Sequence, residues 1–130
     1  MGQFRISKRI DDSPVDRSIE AFSAAHGAVL EFLGVVRELE DGRPLTGIRY
    51  TCYEEMARSV LDDTIAEAQR TFGDHELTFH HRLGFVPVAE PSVLVRVGSG
   101  HSQMAFDLCQ HYLRAVKTTL PIWKEPIFLS

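Results

Sequence analysis

Apolar, strand-like segments and two long helical patterns follow one another along this 130-residue chain, and their order restricts the folds open to it. The strand-like segments are residues 27–36, 46–53, 76–83 and 92–97. One helical pattern runs from Glu54 to about Phe72 and is stopped by Gly73, while the other follows residue 102 and ends before Pro121. This order predicts a single α+β domain over residues 1–130, with helices flanking a mixed or antiparallel sheet.

Near the N-terminus, shorter patterns predict one more strand and one more helix. Residues 3–7 alternate polar and apolar side chains, which predicts a short opening strand. Ser13 followed by Pro14 is typical of a helix start, so a helix is predicted from there to about Ala25.

Turn signals separate or follow the remaining segments. Residues 37–44 contain an Asp-Gly pair and are predicted to form a loop, as is the segment carrying Pro87 and Pro91. Residues 123–126 are predicted to form a short turn, after which residues 127–129 form an apolar tail.

Charge and composition exclude several classes of function. The net charge is -4, which argues against nucleic-acid binding through a basic face. No apolar run approaches the roughly 20 residues that span a bilayer, and the first residues do not resemble an export signal. Cys52 and Cys109 are the only cysteines and form no CxxC pair, so we expect two packed thiols in a cytoplasmic protein.

The positive charge is unevenly distributed, and two of the three lysines lie near the C-terminus. Residues 1–92 hold ten Lys and Arg against sixteen Asp and Glu, whereas residues 93–130 hold four against two. Lys117 falls in the last turn of the second predicted helix, and Lys124 follows the Pro121 corner. The two could converge on one anion-binding pocket rimmed by Trp123, or Lys117 could simply complement the helix dipole.

Two further places could bind an anion. The Gly-Ser-Gly-His-Ser segment at residues 98–102 joins a strand to a helix, where free backbone N–H groups favour phosphate or carboxylate and His101 adds a donor. Arg37 follows the apolar strand at 27–36 and suits bidentate binding of the same groups. Taken alone, the first segment is more often an ordinary strand-to-helix turn, and Arg37 is at least as often an ordinary surface arginine. His80 and His81 are adjacent in a predicted strand and face opposite sides, which is poor metal geometry.

Together these segments resemble the large, catalytic subunit of molybdopterin synthase. The resemblance covers roughly residues 27–125 and rests on the order of short motifs: Gly34 to Arg37, His81 to Gly84, His101 followed by Ala105-Phe106, Lys117, and Pro121 to Lys124. It implies an α/β-hammerhead-like fold.

The resemblance also implies an activity and its partners. In that family a homodimer is flanked by two small ubiquitin-like sulfur carriers, which gives a heterotetramer. Each carrier inserts a C-terminal Gly-Gly thiocarboxylate into a pocket that converts cyclic pyranopterin monophosphate (precursor Z) to the dithiolene molybdopterin. Because sulfur arrives on the carrier, the resemblance implies no metal or other cofactor on this chain.

By position, the resemblance assigns the site residues. Lys117 and Lys124 are the expected catalytic residues. The expected substrate-binding residues are Arg37, His101, Ser102, Lys117, Lys124 and Glu125. His101 is expected to reach the pocket of the neighbouring subunit.

Three departures from the family pattern leave alternatives open. Ser102 stands where the family commonly has Arg, Glu125 is displaced by one position from the family's acidic residue, and the family's chains usually continue beyond the point that corresponds to Ser130. Arg96 or Arg114 could replace the missing cation. The alternatives are a non-catalytic paralogue that binds a sulfur carrier without turnover, and a small-anion-binding domain that shares only the fold.

Overall fold

Two helices and eight strands in two sheets make up the part of the chain that the computed structural model describes, residues 4–19 and 22–130. In chain order the elements are β1 (Ile6–Asp11), β2 (Ala28–Val35), β3 (Leu39–Glu40), β4 (Arg43–Cys52), α1 (Glu54–Phe72), β5 (Glu76–Arg82), β6 (Gly84–Pro87), β7 (Pro91–Ser99), α2 (Ser102–Thr118) and β8 (Ile122–Phe128).

The larger sheet has the strand order β1-β5-β7-β2 and supports the main core. Strand β1 runs parallel to β5, and the other neighbours are antiparallel. Alternate residues of the central strands, such as Phe79 and Val95, pack against the apolar faces of α1 and α2, which include Leu61, Leu108 and Tyr112. The α+β class and the mixed sheet are therefore confirmed.

A second sheet, which the sequence does not predict as separate, is built around β4. This long strand pairs with β3, β6 and β8. It has a small core of its own, formed by Val36, Leu45, Ile48 and Val86. The expectation of one sheet was thus incomplete, because residues 46–53 and 76–83 lie in different sheets.

The two predicted helices are present at nearly the predicted bounds. Helix α1 begins at Glu54, so Glu54 and Glu55 complement the positive end of its dipole, and it ends at Phe72 before Gly73, whose φ is +91°. Helix α2 ends at Thr118, shortly before Pro121. Neither helix is long and apolar enough to cross a membrane.

The predicted helix from Ser13 to about Ala25 was wrong. Residues 12–19 and 22–25 are irregular, and residues 20 and 21 lie outside the described part of the chain. Side chains satisfy backbone donors in this segment, since the Asp11 carboxylate accepts from Ser13 N and the Asp16 carboxylate from Ser18 N. Such local bonds compete with the helical ladder.

Strands occupy several segments that the sequence predicts as loop, turn or tail. The predicted loop at 37–44 contains β3 and the first two residues of β4, which pair with each other across the Asp-Gly turn. The predicted loop after residue 83 contains β6, which ends at Pro87, where a strand tolerates proline. The predicted turn at 123–126 and the tail after it form β8, which pairs with β4 from Ile122 to Phe128. The opening strand begins at Ile6 rather than residue 3, which lies outside the described residues.

Candidate functional site

A cavity of about 390 Å³ lies where the end of α2 meets strands of both sheets. Lys117 of α2 and Lys124 of β8 both line it, together with Tyr50 of β4, His81 of β5 and Ser92 of β7. Its remaining walls are apolar or glycine, and include Phe32, Val93, Leu113 and Ile122. The volume lies within the range that binds a small organic ligand.

The chain between α2 and β8 explains how the two lysines reach one cavity. Buried Leu120 anchors the corner, and its backbone N–H donates to the carbonyl of Ala115 at 2.8 Å. Pro121 prevents the helix from continuing, so the chain enters β8 directly. There Lys124 lies opposite Tyr50 in the antiparallel register, on the sheet face that borders the cavity.

Tyr50 and His81 are cavity residues that the sequence does not single out. Their rings meet edge to face, with centroids 5.0 Å apart. His81 Nδ1 lies 3.0 Å from the carbonyl oxygen of Arg82, and burial lowers the pKa of His81 to about 4. His80, on the opposite face of the same strand, lies 3.0 Å from the Asp11 carboxylate. The opposite orientation of the two histidines is as predicted, but alternation alone cannot show which face borders a cavity.

Trp123 does not line the cavity, which corrects the expected rim. Its ring lies edge to face with that of Tyr53, with centroids 5.3 Å apart. Both rings are more than half exposed. Because successive residues of a strand face opposite sides, Trp123 lies on the other face of β8 from Lys124.

Arg37 and Glu125 lie outside the cavity of their own chain. Arg37 follows β2, as predicted, but its side chain is 82% exposed and its Nη2 lies 3.9 Å from Glu40 Oε2. Glu125 is exposed on β8, and its Oε1 lies 3.8 Å from Arg49 Nη1 on the paired strand.

His101 and Ser102 are at the opposite end of α2 from Lys117. The fifteen-residue helical separation between Ser102 and Lys117 corresponds to about 22 Å. His101 is the N-cap residue and forms no side-chain cap bond. The preceding loop is held by two bonds, from Gly27 N to the Ser99 carbonyl and from Ser99 Oγ to the His101 carbonyl. A single chain therefore does not bring His101 or Ser102 to the cavity.

Arg96 and Arg114 do not line the lysine cavity. Either could have replaced the cation that the family has at position 102. Arg96 is buried and donates from Nε and Nη2 to Glu31 Oε2 at 2.9 and 2.6 Å. Arg114 is exposed and lines a groove of about 320 Å³ between the helices.

The two cysteines pack as small apolar residues. Cys109 is buried and Cys52 is half-buried, and both thiols are free. Burial raises the pKa of each thiol, which favours the unreactive protonated form. Within residues 4–19 and 22–130, no group of three or more His, Cys, Asp or Glu side chains could hold a metal ion.

The sequence of this chain matches the model of a known protein family. The model of the MoaE protein family matches residues 7–119. The chain belongs to the MoaE protein family. Its MoaE relatives include the molybdopterin synthase catalytic subunit of Thermoplasma volcanium, which is 34% identical over 117 residues, 90% of this chain and 85% of that protein. Other MoaE relatives of the same name are longer, and the chain spans about half to three fifths of their length.

Solved structures of molybdopterin synthase and of a molybdopterin-converting factor have the same fold. The molybdopterin synthase structure from Staphylococcus aureus superposes with a TM-score of 0.82 at 26% identity, covering 100% of this chain and 94% of that one. A chain in a complex of subunits 1 and 2 of the molybdopterin-converting factor from Helicobacter pylori superposes with a TM-score of 0.66 at 24% identity. That match covers 82% of this chain and 73% of the other.

Proposed function

We propose that this chain, a MoaE family member whose relatives are molybdopterin synthase catalytic subunits, transfers sulfur from a carrier-protein thiocarboxylate to precursor Z in molybdenum cofactor biosynthesis. The observation that carries the proposal is the cavity of about 390 Å³ that Lys117 and Lys124 share. Two ammonium groups beside apolar walls suit a substrate that combines a phosphate with a fused ring.

The two lysines take the chemical roles in this proposal. Lys117 acts as the general base or transient covalent partner, and Lys124 stabilises negative charge that develops on the substrate or on the incoming carboxylate. Each charge-assisted hydrogen bond contributes roughly 1.5–3 kcal/mol, so the loss of one lysine is expected to reduce turnover measurably.

The remaining substrate-binding residues are proposed to act across a homodimer. His101 and Ser102 lie about 22 Å along α2 from the cavity of their own chain, and this distance supports a contribution from a neighbouring subunit. Arg37 and Glu125 lie on exposed segments outside the cavity and are proposed to close it in the assembly. Ser102 adds a hydroxyl rather than a charge, which makes phosphate binding depend more on Arg37 and His101.

A small ubiquitin-like sulfur carrier with a C-terminal Gly-Gly thiocarboxylate is the proposed partner, in a heterotetramer of two carriers and two copies of this chain. The complex of two converting-factor subunits from Helicobacter pylori contains a chain of this fold and supports a two-subunit arrangement. The two free thiols support a cytoplasmic location, where such thiols stay reduced.

A turnover assay with precursor Z and thiocarboxylated carrier tests the proposal. The wild-type chain is expected to form the dithiolene product, and Lys117→Ala is expected to abolish it while carrier binding persists. Lys8→Ala is the matched control, because the Lys8 ammonium pairs with Asp62 on α1, away from the cavity. Carrier binding without any wild-type product would favour the non-catalytic paralogue, for which the serine at position 102 is the specific argument.

A further inference from the structure

The imidazole of His81 borders the lysine cavity, yet the proposed function gives it no role. Its residue is only 3% exposed, and the ring packs against Tyr50. Burying a polar ring beside two lysines is costly unless its nitrogen atoms find partners. The partners of the two ring nitrogen atoms therefore indicate which of them is free to bind a ligand.

One ring nitrogen has a fixed partner, and this sets the tautomer. His81 Nδ1 lies 3.0 Å from the carbonyl oxygen of Arg82. A carbonyl oxygen can only accept, so Nδ1 carries the hydrogen. Burial lowers the pKa of His81 to about 4, so the ring is neutral near pH 7 and Nε2 keeps its lone pair. Within residues 4–19 and 22–130 no group donates a hydrogen bond to this Nε2.

An acceptor such as His81 Nε2 is unusual in this cavity, because the other polar side chains that line it can donate hydrogen bonds. Lys117 and Lys124 can only donate, while Tyr50 and Ser92 carry hydroxyls that can donate or accept. Among the described residues that line the cavity there is no carboxylate. When His81 is neutral, its Nε2 is therefore the one side-chain nitrogen among the described lining residues that accepts a hydrogen bond without donating one.

We propose that His81 is a substrate-binding residue of this cavity, and that its Nε2 accepts a hydrogen bond from an N–H group on the ring system of the substrate. The inference rests on the proposed function, since a pterin phosphate presents both an anion for the lysines and N–H donors for an acceptor. A site that pairs a substrate donor in this way discriminates against analogues without that donor.

Steady-state kinetics of His81→Phe test this role. Phenylalanine keeps a planar ring but removes the acceptor, so KM for precursor Z is expected to rise about 5- to 100-fold, with carrier affinity unchanged. His81→Gln returns a carbonyl acceptor and is expected to recover part of the loss. His80→Gln is the matched control on the opposite face of β5, and its KM is expected to equal that of the wild type.

A spectroscopic measurement on the wild-type protein removes any dependence on the folding of a variant. With ¹⁵N-labelled histidine, the His81 Nε2 resonance is expected to move when precursor Z is added without carrier. An unmoved resonance, or an unchanged KM in folded His81→Phe, would overturn the proposal while wild-type turnover still upheld the sulfur-transfer function. Absence of wild-type turnover would instead refute the proposed function itself.

Discussion

The loop that leads into α2 is held in place by close backbone contacts with Gly27, the residue before β2. Gly27 N donates to the carbonyl of Ser99 at 2.8 Å, and a Cβ atom on Gly27 would lie only 2.1 Å from the carbonyl oxygen of Gly100. Because this oxygen belongs to the backbone, a side chain at Gly27 would displace the chain rather than a rotamer. The segment before β2 thus determines where the loop presents His101.

At this contact, Gly27→Ala is expected to lower the free energy of unfolding by about 1–3 kcal/mol, because the methyl group overpacks the loop. Gly100→Ala is the matched control, since its nearest neighbour would be Ala25 O at 4.0 Å, and a change within about 0.5 kcal/mol is expected. Urea unfolding of both variants measures the difference. Equal stability losses would contradict the close-contact argument.

Residue by residue, the sequence is informative about the lysines and less so about His81. Lys117 and Lys124 could be singled out because lysine is scarce and because Pro121 turns the chain between them. His81 could not be, since strand alternation assigns it a face without showing that β4 and β8 of a second sheet border that face. A neighbour from a different sheet is information that short-range patterns do not contain.

Between elements, the buried side chain of Arg96 connects the irregular N-terminal segment to the larger sheet through hydrogen bonds. Arg96 of β7 binds Glu31 of β2 through two hydrogen bonds. Two of its three remaining N–H groups reach the carbonyl oxygens of Arg17 and Ser18 at 3.1 and 3.3 Å. These two bonds hold residues 17 and 18 against the sheet in their irregular conformation.

The Arg96–Glu31 ion pair between β7 and β2 is expected to contribute more to the free energy of unfolding than an ion pair at the surface. Glu31→Gln leaves the guanidinium of Arg96, whose side chain is only 9% exposed, without a charged partner, and should cost about 1–3 kcal/mol of unfolding free energy. Asp62→Asn breaks the ion pair with Lys8, in which both side chains are about half exposed, and should cost at most about 0.5 kcal/mol. Chemical unfolding of the two variants tests this order, and the reverse order would contradict it.

Strand β8, at the C-terminal end, is a second element that the sequence pattern does not predict. Residues 122–128 contain Pro126 and lack regular alternation, so they are predicted as a turn and a tail. They form β8 because β4 offers ten residues to pair with, from Arg43 to Cys52. Pro126 is tolerated because β8 pairs with β4 alone among the described strands.

For the whole molecule, the sequence predicts the fold class and singles out the two lysines that share the cavity. Helices α1 and α2 and the strands of the larger sheet follow from apolar periodicity. Within one chain Lys117 and Lys124 share a cavity, whereas Ser102 begins α2 about 22 Å away. The family resemblance alone suggests that His101 enters the site of a neighbouring subunit, because no pattern within one chain encodes a contact between two.

Burial of three histidines connects the stability of the whole molecule to pH. Burial lowers the pKa of His75, His80 and His81, which reaches about 4 for His81. Each binds a proton more readily in the unfolded chain, where the pKa is about 6.5. The unfolded state therefore gains protons first as the pH falls, and stability decreases from about pH 7.5 downward.

His81 alone is expected to remove about 2 kcal/mol of unfolding free energy between pH 7.5 and pH 5, because protons bind the unfolded imidazole with a pKa near 6.5 and the folded one with a pKa near 4. Asp11 adds little in this window. Burial would raise the pKa of Asp11, but hydrogen bonds from Ser13 and Arg9 lower it to about 2, so its contribution is lost only as the pH falls below about 4. Urea unfolding at several pH values should give His81→Gln a pH dependence shallower than that of the wild type by about 2 kcal/mol over this range. Parallel curves for the two proteins would mean that His81 has the same pKa in the folded and the unfolded chain, which would contradict the lowering attributed to burial.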